Sequence, residues 1–260
     1  MSTEFLSYTR ETRRSTLFFA GLVLLAWALL AAWKGSPYAG LLGHEALEDH
    51  SISFAGHLGA FLLSWLLMTL AMMLPGSLPM LLDFIEPAEQ RSAEARRASR
   101  RAVLVLAGYL LPWLLVGFLL YLGDSQLHRL AEPPGPLAQV SQLIPPAILL
   151  LAGLYQLSPL KGRALTLCRP VSHSKNLPST WQPPESGSAF AQGLYVGKIC
   201  IASCASLMLL MFALGHHRLE LMLLLSGILA VERLTAWGAR LAWGIGAALV
   251  AGSVIWIFVA

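Results

Sequence analysis

Residues 190–214 read FAQGLYVGKICIASCASLMLLMFAL, twenty-five residues with a single charge at Lys198. A run of this length and apolarity exceeds the roughly 18–20 residues that carry an α-helix across a bilayer. At 100° per residue, Cys204 lies about 40°, Met208 about 80° and Met211 about 20° from Cys200. All four sulfurs therefore share one face, in a stripe about 16 Å long. Gly193 and Gly197, four apart on the same broad side, let another helix come close to it.

Outward from this run the chain repeats the pattern. It is 56% apolar and 12% charged, against roughly 45–50% and about 25% in ordinary soluble domains. Further apolar stretches give spans at Thr16–Trp33, Gly56–Leu82, Ala102–Leu122, Leu143–Leu160, Leu219–Trp237 and Leu241–Ala260. The expected fold is all-α: a polytopic transmembrane helix bundle of about seven spans, forming a single integral membrane domain over residues 1–260. Six spans is the alternative count, because the sixth carries Glu232 and Arg233. The first span follows Arg10, Arg13 and Arg14 in the manner of a signal peptide, but its length favours a retained helix.

The net charge of +4 is explained by topology. Fourteen Lys and Arg fall in alternate connections, with three (Lys34, Arg129 and Arg218) in the others. The positive-inside rule then places the N-terminus in the cytoplasm. The basic residues lack interleaved aromatics and any nucleic-acid module, so no nucleic-acid partner is expected. No nucleotide-binding loop, nucleophile elbow or metalloprotease helix is present, and the chain is not expected to be an enzyme. His44, Glu45 and His50 have the wrong spacing for a helical metal motif.

Three cysteines, Cys168, Cys200 and Cys204, do not make a disulfide framework. Thiolate and thioether donors favour Cu(I), because a soft cation gains most from polarisable sulfur. Zinc would accept two cysteines but usually adds His, Cys or carboxylate to complete a tetrahedron. Span two offers a facing wall in Met68 and Met72, one turn apart, followed by Pro75, whose missing N–H leaves a carbonyl needing a partner in lipid. The other reading of these sulfurs is packing, since Met fills apolar cores and buried Cys acts as a small hydrophobe.

Glu232 and Lys198 fall in the inner third of the membrane, where ionisable groups are costly and usually paired. Two readings of Glu232 stand: it pairs with Lys198 and fixes spans five and six, or it balances a cation at Cys200. Tyr155 and Gln156 lie where they would complete this polar cluster. At the outer end His44, His50, His57, His216 and His217, with Glu45, Glu48 and Asp49, form a second candidate group for a divalent metal.

Four patches resemble the bacterial predicted metal-binding integral membrane proteins, a family of unknown function sometimes described as copper chaperones. They are Trp65 with Ala71 to Pro75 and Pro79; Gly108, Tyr109 and Trp113; Tyr155, Gln156, Ser158 to Lys161 and Cys168 to Pro170; and Gly193, Gly197, Cys200, Cys204, Leu207, Met208, Gly215 and Glu232. Ser203 stands where relatives carry a middle thiol, and Ala164 where a further cysteine is expected. The resemblance implies a metal role in a bacterial inner membrane.

The expectation is Cu(I) handling through Cys200, Cys204 and Met208, with Met72 and Met68 as partners and Glu232, Lys198, Tyr155 and Gln156 around them. Transfer, transport and delivery to a copper enzyme or soluble copper carrier all remain open. The alternative is a structural or assembly subunit with no metal role. A thiol oxidoreductase using Cys200 and Cys204 is a weaker third reading, since the helical rise of about 6 Å strains a disulfide.

Overall fold

A computed structural model describes residues 2–34, 54–89, 95–131, 142–168, 188–214 and 219–259. Eight helices follow one another: α1 (Ser2–Lys34), α2 (Phe54–Glu89), α3 (Ala95–Ala131), α4 (Ile144–Gln156), α5 (Pro159–Leu167), α6 (Ala189–Leu214), α7 (Leu219–Leu234) and α8 (Gly238–Val259). Among the described residues there is no strand, and the chain is all-α, as its long apolar runs predict. Among the described residues five helices carry segments long and apolar enough to cross a membrane: Thr16–Trp33, Phe54–Leu82, Arg100–Gln126, Ala189–Met211 and Gly238–Phe258.

The other two expected spans are shorter. Residues 143–160 do not form one helix: α4 stops at Gln156, and α5 starts at Pro159. The stop is local chemistry. Leu157 N–H bonds back to Gly153 O and Ser158 N–H to Tyr155 O. Ser158, in extended backbone, then caps α5 by accepting from Lys161 N–H, with Pro159 in the first turn, a position that suits both residue types. Likewise α7 ends at Leu234, and a turn leads into α8. A Cβ on Gly238 would lie 2.1 Å from Glu232 O, so only glycine permits a turn this tight.

The polarity of the bundle is that of a membrane protein. Its exterior displays Leu24, Leu25, Leu115, Leu119, Leu223, Leu224, Trp243 and Ile255. Its interior holds Ser77, Gln156, Lys161, Ser203, Ser206, Glu232 and Arg233. An apolar surface over a polar centre favours lipid as solvent. Two of the fourteen basic residues assigned to connections, Lys161 and Arg233, are thus inside the bundle; the bias among the remainder is twelve against three.

Close backbone approach fixes the centre. A Cβ on Gly193 would lie 2.0 Å from Val105 O, and one on Gly108 would lie 2.2 Å from Phe190 O. The two helices therefore run in parallel with main chains nearly touching, which small residues allow and larger ones forbid. On α2 the helix continues through Pro75, whose ring deprives Ala71 O of its usual donor. Trp27 Nε1 of α1 supplies one at 3.1 Å. The carbonyl expected to need a partner has found it in the first span.

Candidate metal centre

Cys200 sits at the middle of α6, fully buried, with polar groups from three other helices around its sulfur. Ser77 Oγ of α2 lies at 3.4 Å and Tyr109 OH of α3 at 3.4 Å. Arg233 Nη1 of α7 lies at 3.3 Å. Tyr109 reaches this point because the Gly108–Gly193 contact brings α3 against α6. The guanidinium fits because position 76 is glycine: a Cβ there would lie 3.2 Å from Nη1. Arg233 Nη2 donates to Ser77 Oγ at 3.0 Å and Nη1 to Met73 O at 3.4 Å. Among the described residues no carboxylate is its partner, and Nε, though buried, has none.

Cys204 follows one turn later, its Sγ 3.7 Å from that of Cys200. Its thiol donates to Cys200 O, which also accepts from Ser203 Oγ at 2.9 Å. Ser203, standing where relatives carry a thiol, thus turns its hydroxyl to the helix backbone. All three cysteines are free. Taking metal–thiolate bonds of about 2.3 Å, two sulfurs in line with a metal stand roughly 4.6 Å apart. As they stand, the two are closer than that, so an ion between them would be bent and open to a third donor on one side.

Methionines supply the thioether sulfur nearby. Met68, Met72, Met73, Met208, Met211 and Met222 belong to the same buried cluster as Cys200 and Cys204. Helices α2 and α6 run antiparallel, since Phe84 stacks edge-on to Tyr195 while Ser77 meets Cys200. Counting from that contact at equal rise, Met72 and Met73 come level with Cys204, and Met68 with Met208. Met73, absent from the expected ligand set, belongs with it by height. Among the described residues no group of three or more His, Cys, Asp and Glu that could hold a metal ion is found; the donors that share the core with the thiol pair are thioethers. The outer histidine cluster lies, apart from His57, outside the described residues.

Glu232 does not face Cys200, and it does not pair with Lys198. Its Oε2 accepts from Lys161 Nζ at 2.7 Å, with both side chains fully buried. Gln156 Nε2 donates to Glu232 Oε1, and Gln156 Oε1 accepts from Lys161 Nζ at 2.6 Å and from Ser206 Oγ. Gln156 thus joins Glu232 as expected, whereas Tyr155 donates to Ala202 O at 2.8 Å. Lys198 is exposed. Two residues before Cys200 on a helix is about 160° away from it, which turns Lys198 to the outside. Sequence reasoning missed Arg233, Ser77, Tyr109 and Lys161 as site residues; the charge at 233 inside a span was the available signal, since such residues are rarely idle.

A bundle of apolar helices around a buried thiol pair, with thioethers beside it and a guanidinium against one sulfur, defines a multi-pass membrane protein with a soft-donor centre. The family model described as PpoB2, copper chaperone, matches residues 62–256, and the chain belongs to that family. The match contains every residue of the centre. No curated protein and no solved structure matches the chain.

Proposed function

We propose that the protein is a membrane-embedded, non-enzymatic carrier that binds Cu(I) between Cys200 and Cys204, with Met208, Met72 and Met68 as thioether partners, and hands it to a copper-dependent recipient. The observation that carries this reading is the buried thiol pair, 3.7 Å apart, inside the methionine-lined core of a copper chaperone family member. Sulfur donors without carboxylate or histidine suit a soft monovalent ion better than a hard one. The recipient is a copper enzyme or a soluble copper carrier, and the setting is a bacterial inner membrane with the N-terminus in the cytoplasm. External labelling of a single cysteine introduced at Ser179, between the fourth and fifth expected spans, would overturn that orientation.

Copper content of the purified protein tests the reading. Wild type loaded anaerobically should retain Cu(I), and Cys200→Ser/Cys204→Ser should lose it while eluting as the same monodisperse species. The rival is a structural subunit, favoured by the Lys161–Glu232–Gln156–Ser206 network, which ties α4, α5, α6 and α7 together without any metal. Equal copper in wild type and the double variant would leave that rival standing and remove the copper reading.

A further inference from the structure

Arg233 is a full positive charge buried beside the sulfur that would hold the metal. Among the described residues its partners are a backbone carbonyl, a hydroxyl and a thiol, and no carboxylate is in contact with it. The nearest acidic neighbour in sequence, Glu232, is already matched by Lys161 at 2.7 Å. A buried cation of this kind requires an anion nearby or leaves a large desolvation cost uncompensated. The anion is provided when a metal is bound, because cysteine sulfurs ligate as thiolates.

We infer that Arg233 is the charge-selecting residue of the centre, tuning it to monovalent soft cations, Cu(I) and Ag(I), and against divalent ions such as Zn(II). The inference rests on the copper-binding reading above. Two thiolates and one guanidinium leave one negative charge. A monovalent ion brings the buried centre to neutrality, whereas a divalent ion leaves a net positive charge in an apolar interior. Softness of sulfur alone does not make this distinction, since thiolates also bind zinc well. Guanidinium, unlike ammonium, keeps its charge when buried and spreads its donors over Cys200, Ser77 and Met73 at once. The room for it is provided by Gly76.

The test compares metal retention by the full-length protein in detergent, loaded separately with Cu(I) under reducing, anaerobic conditions, with Ag(I) and with Zn(II), each against a competing chelator. Wild type should hold Cu(I) and Ag(I) and release Zn(II). Arg233→Gln should weaken Cu(I) and Ag(I) by about 10- to 100-fold, the size of one lost hydrogen bond to a charged group, while Zn(II) weakens less or strengthens. Arg233→Lys, whose ammonium is held charged by the thiolates of the loaded centre though not in the metal-free one, should restore the preference for monovalent ions. A folded Arg233→Gln variant with the wild-type Cu(I)-to-Zn(II) ratio would overturn the inference and leave copper binding intact. Should that variant fail to fold, wild type decides: Zn(II) held as tightly as Cu(I) overturns charge selection. Copper indifferent to Cys200→Ser/Cys204→Ser would instead sink the underlying reading, and this inference with it.

Discussion

Glu232 and Arg233 are neighbours on α7, and the helix turns them about 100° apart into two regions of opposite character. Glu232 enters a closed network in which Lys161, Gln156 and Ser206 answer one another, positive charge against negative. Arg233 enters an open one, where among the described residues its charge has no carboxylate in contact and Nε has no partner. The first region is complete as it stands and has the form of a clamp. The second becomes balanced only when the neighbouring sulfurs carry charge, which is what a thiolate-bound ion supplies. Buried ions inside a membrane can thus serve fixation and ligand binding one residue apart, and partner chemistry separates the two uses.

The largest effect should come from breaking the clamp. Lys161→Met leaves Glu232 buried and unpaired, and Glu232→Gln does the same to Lys161. Each should cost about 3–5 kcal/mol, read as a fall in thermal unfolding midpoint in detergent. Lys161→Met/Glu232→Gln, which removes both charges, should recover most of that loss and keep wild-type copper content. Copper falling in a stable double variant would show that the two regions are one site, and the comparison would collapse.

A smaller effect is expected from the packing that delivers Tyr109 to Cys200. Gly193→Ala places a methyl where Val105 O stands, at 2.0 Å, and α3 must move outward. Overpacking of this severity costs about 3 kcal/mol. Copper retention should fall together with stability in this variant, in contrast to the double variant of the clamp. If Gly193→Ala leaves both unchanged, the α3–α6 approach does not hold the centre together.

Smaller again is Ser77→Ala, which withdraws an acceptor from Arg233 Nη2 and a polar neighbour from Cys200. About 1.5 kcal/mol of stability should go, the lower value for a hydrogen bond involving a charged group. The metal-free protein should feel this more than the copper-loaded one, because the loaded centre gives the guanidinium its counter-charge. Equal losses in both forms would mean that Arg233 gains nothing from the metal.

Sequence alone showed the all-helical membrane fold and the sulfur face of α6, because hydropathy and a 100° repeat are local properties of the chain. The break between α4 and α5 was also written locally, in Ser158 and Pro159, but an apolar average over residues 143–160 smooths across it. With the break smoothed over, Lys161 reads as a connecting residue, and Glu232 is left without its true partner. The charge of Arg233 inside a span was legible, but its partners were not. Its meeting with Cys200 depends on the register of α7 against α2 and α6, a property of packing that no single segment carries.

The smallest effect tests the lysine that sequence reading placed in the cluster. Lys198 lies 2 residues from Cys200 and Lys161 39, so neither distance in sequence nor depth counting favours Lys161 as the partner of Glu232. Rotation does: Lys198 points about 160° away from Cys200 on α6, and it is exposed, whereas the Ser158 cap turns α5 so that Lys161 is buried against Glu232. Lys198→Met should therefore shift stability by no more than about 0.5 kcal/mol, as surface substitutions do, and leave copper content at the wild-type value. The contrast with Lys161→Met, measured side by side, isolates burial as the cause, since the chemical change is identical. A loss in Lys198→Met as large as that in Lys161→Met would mean that Glu232 is shared between two lysines, and the clamp would then hold the helix that carries the thiols by a charge as well as by Ser206.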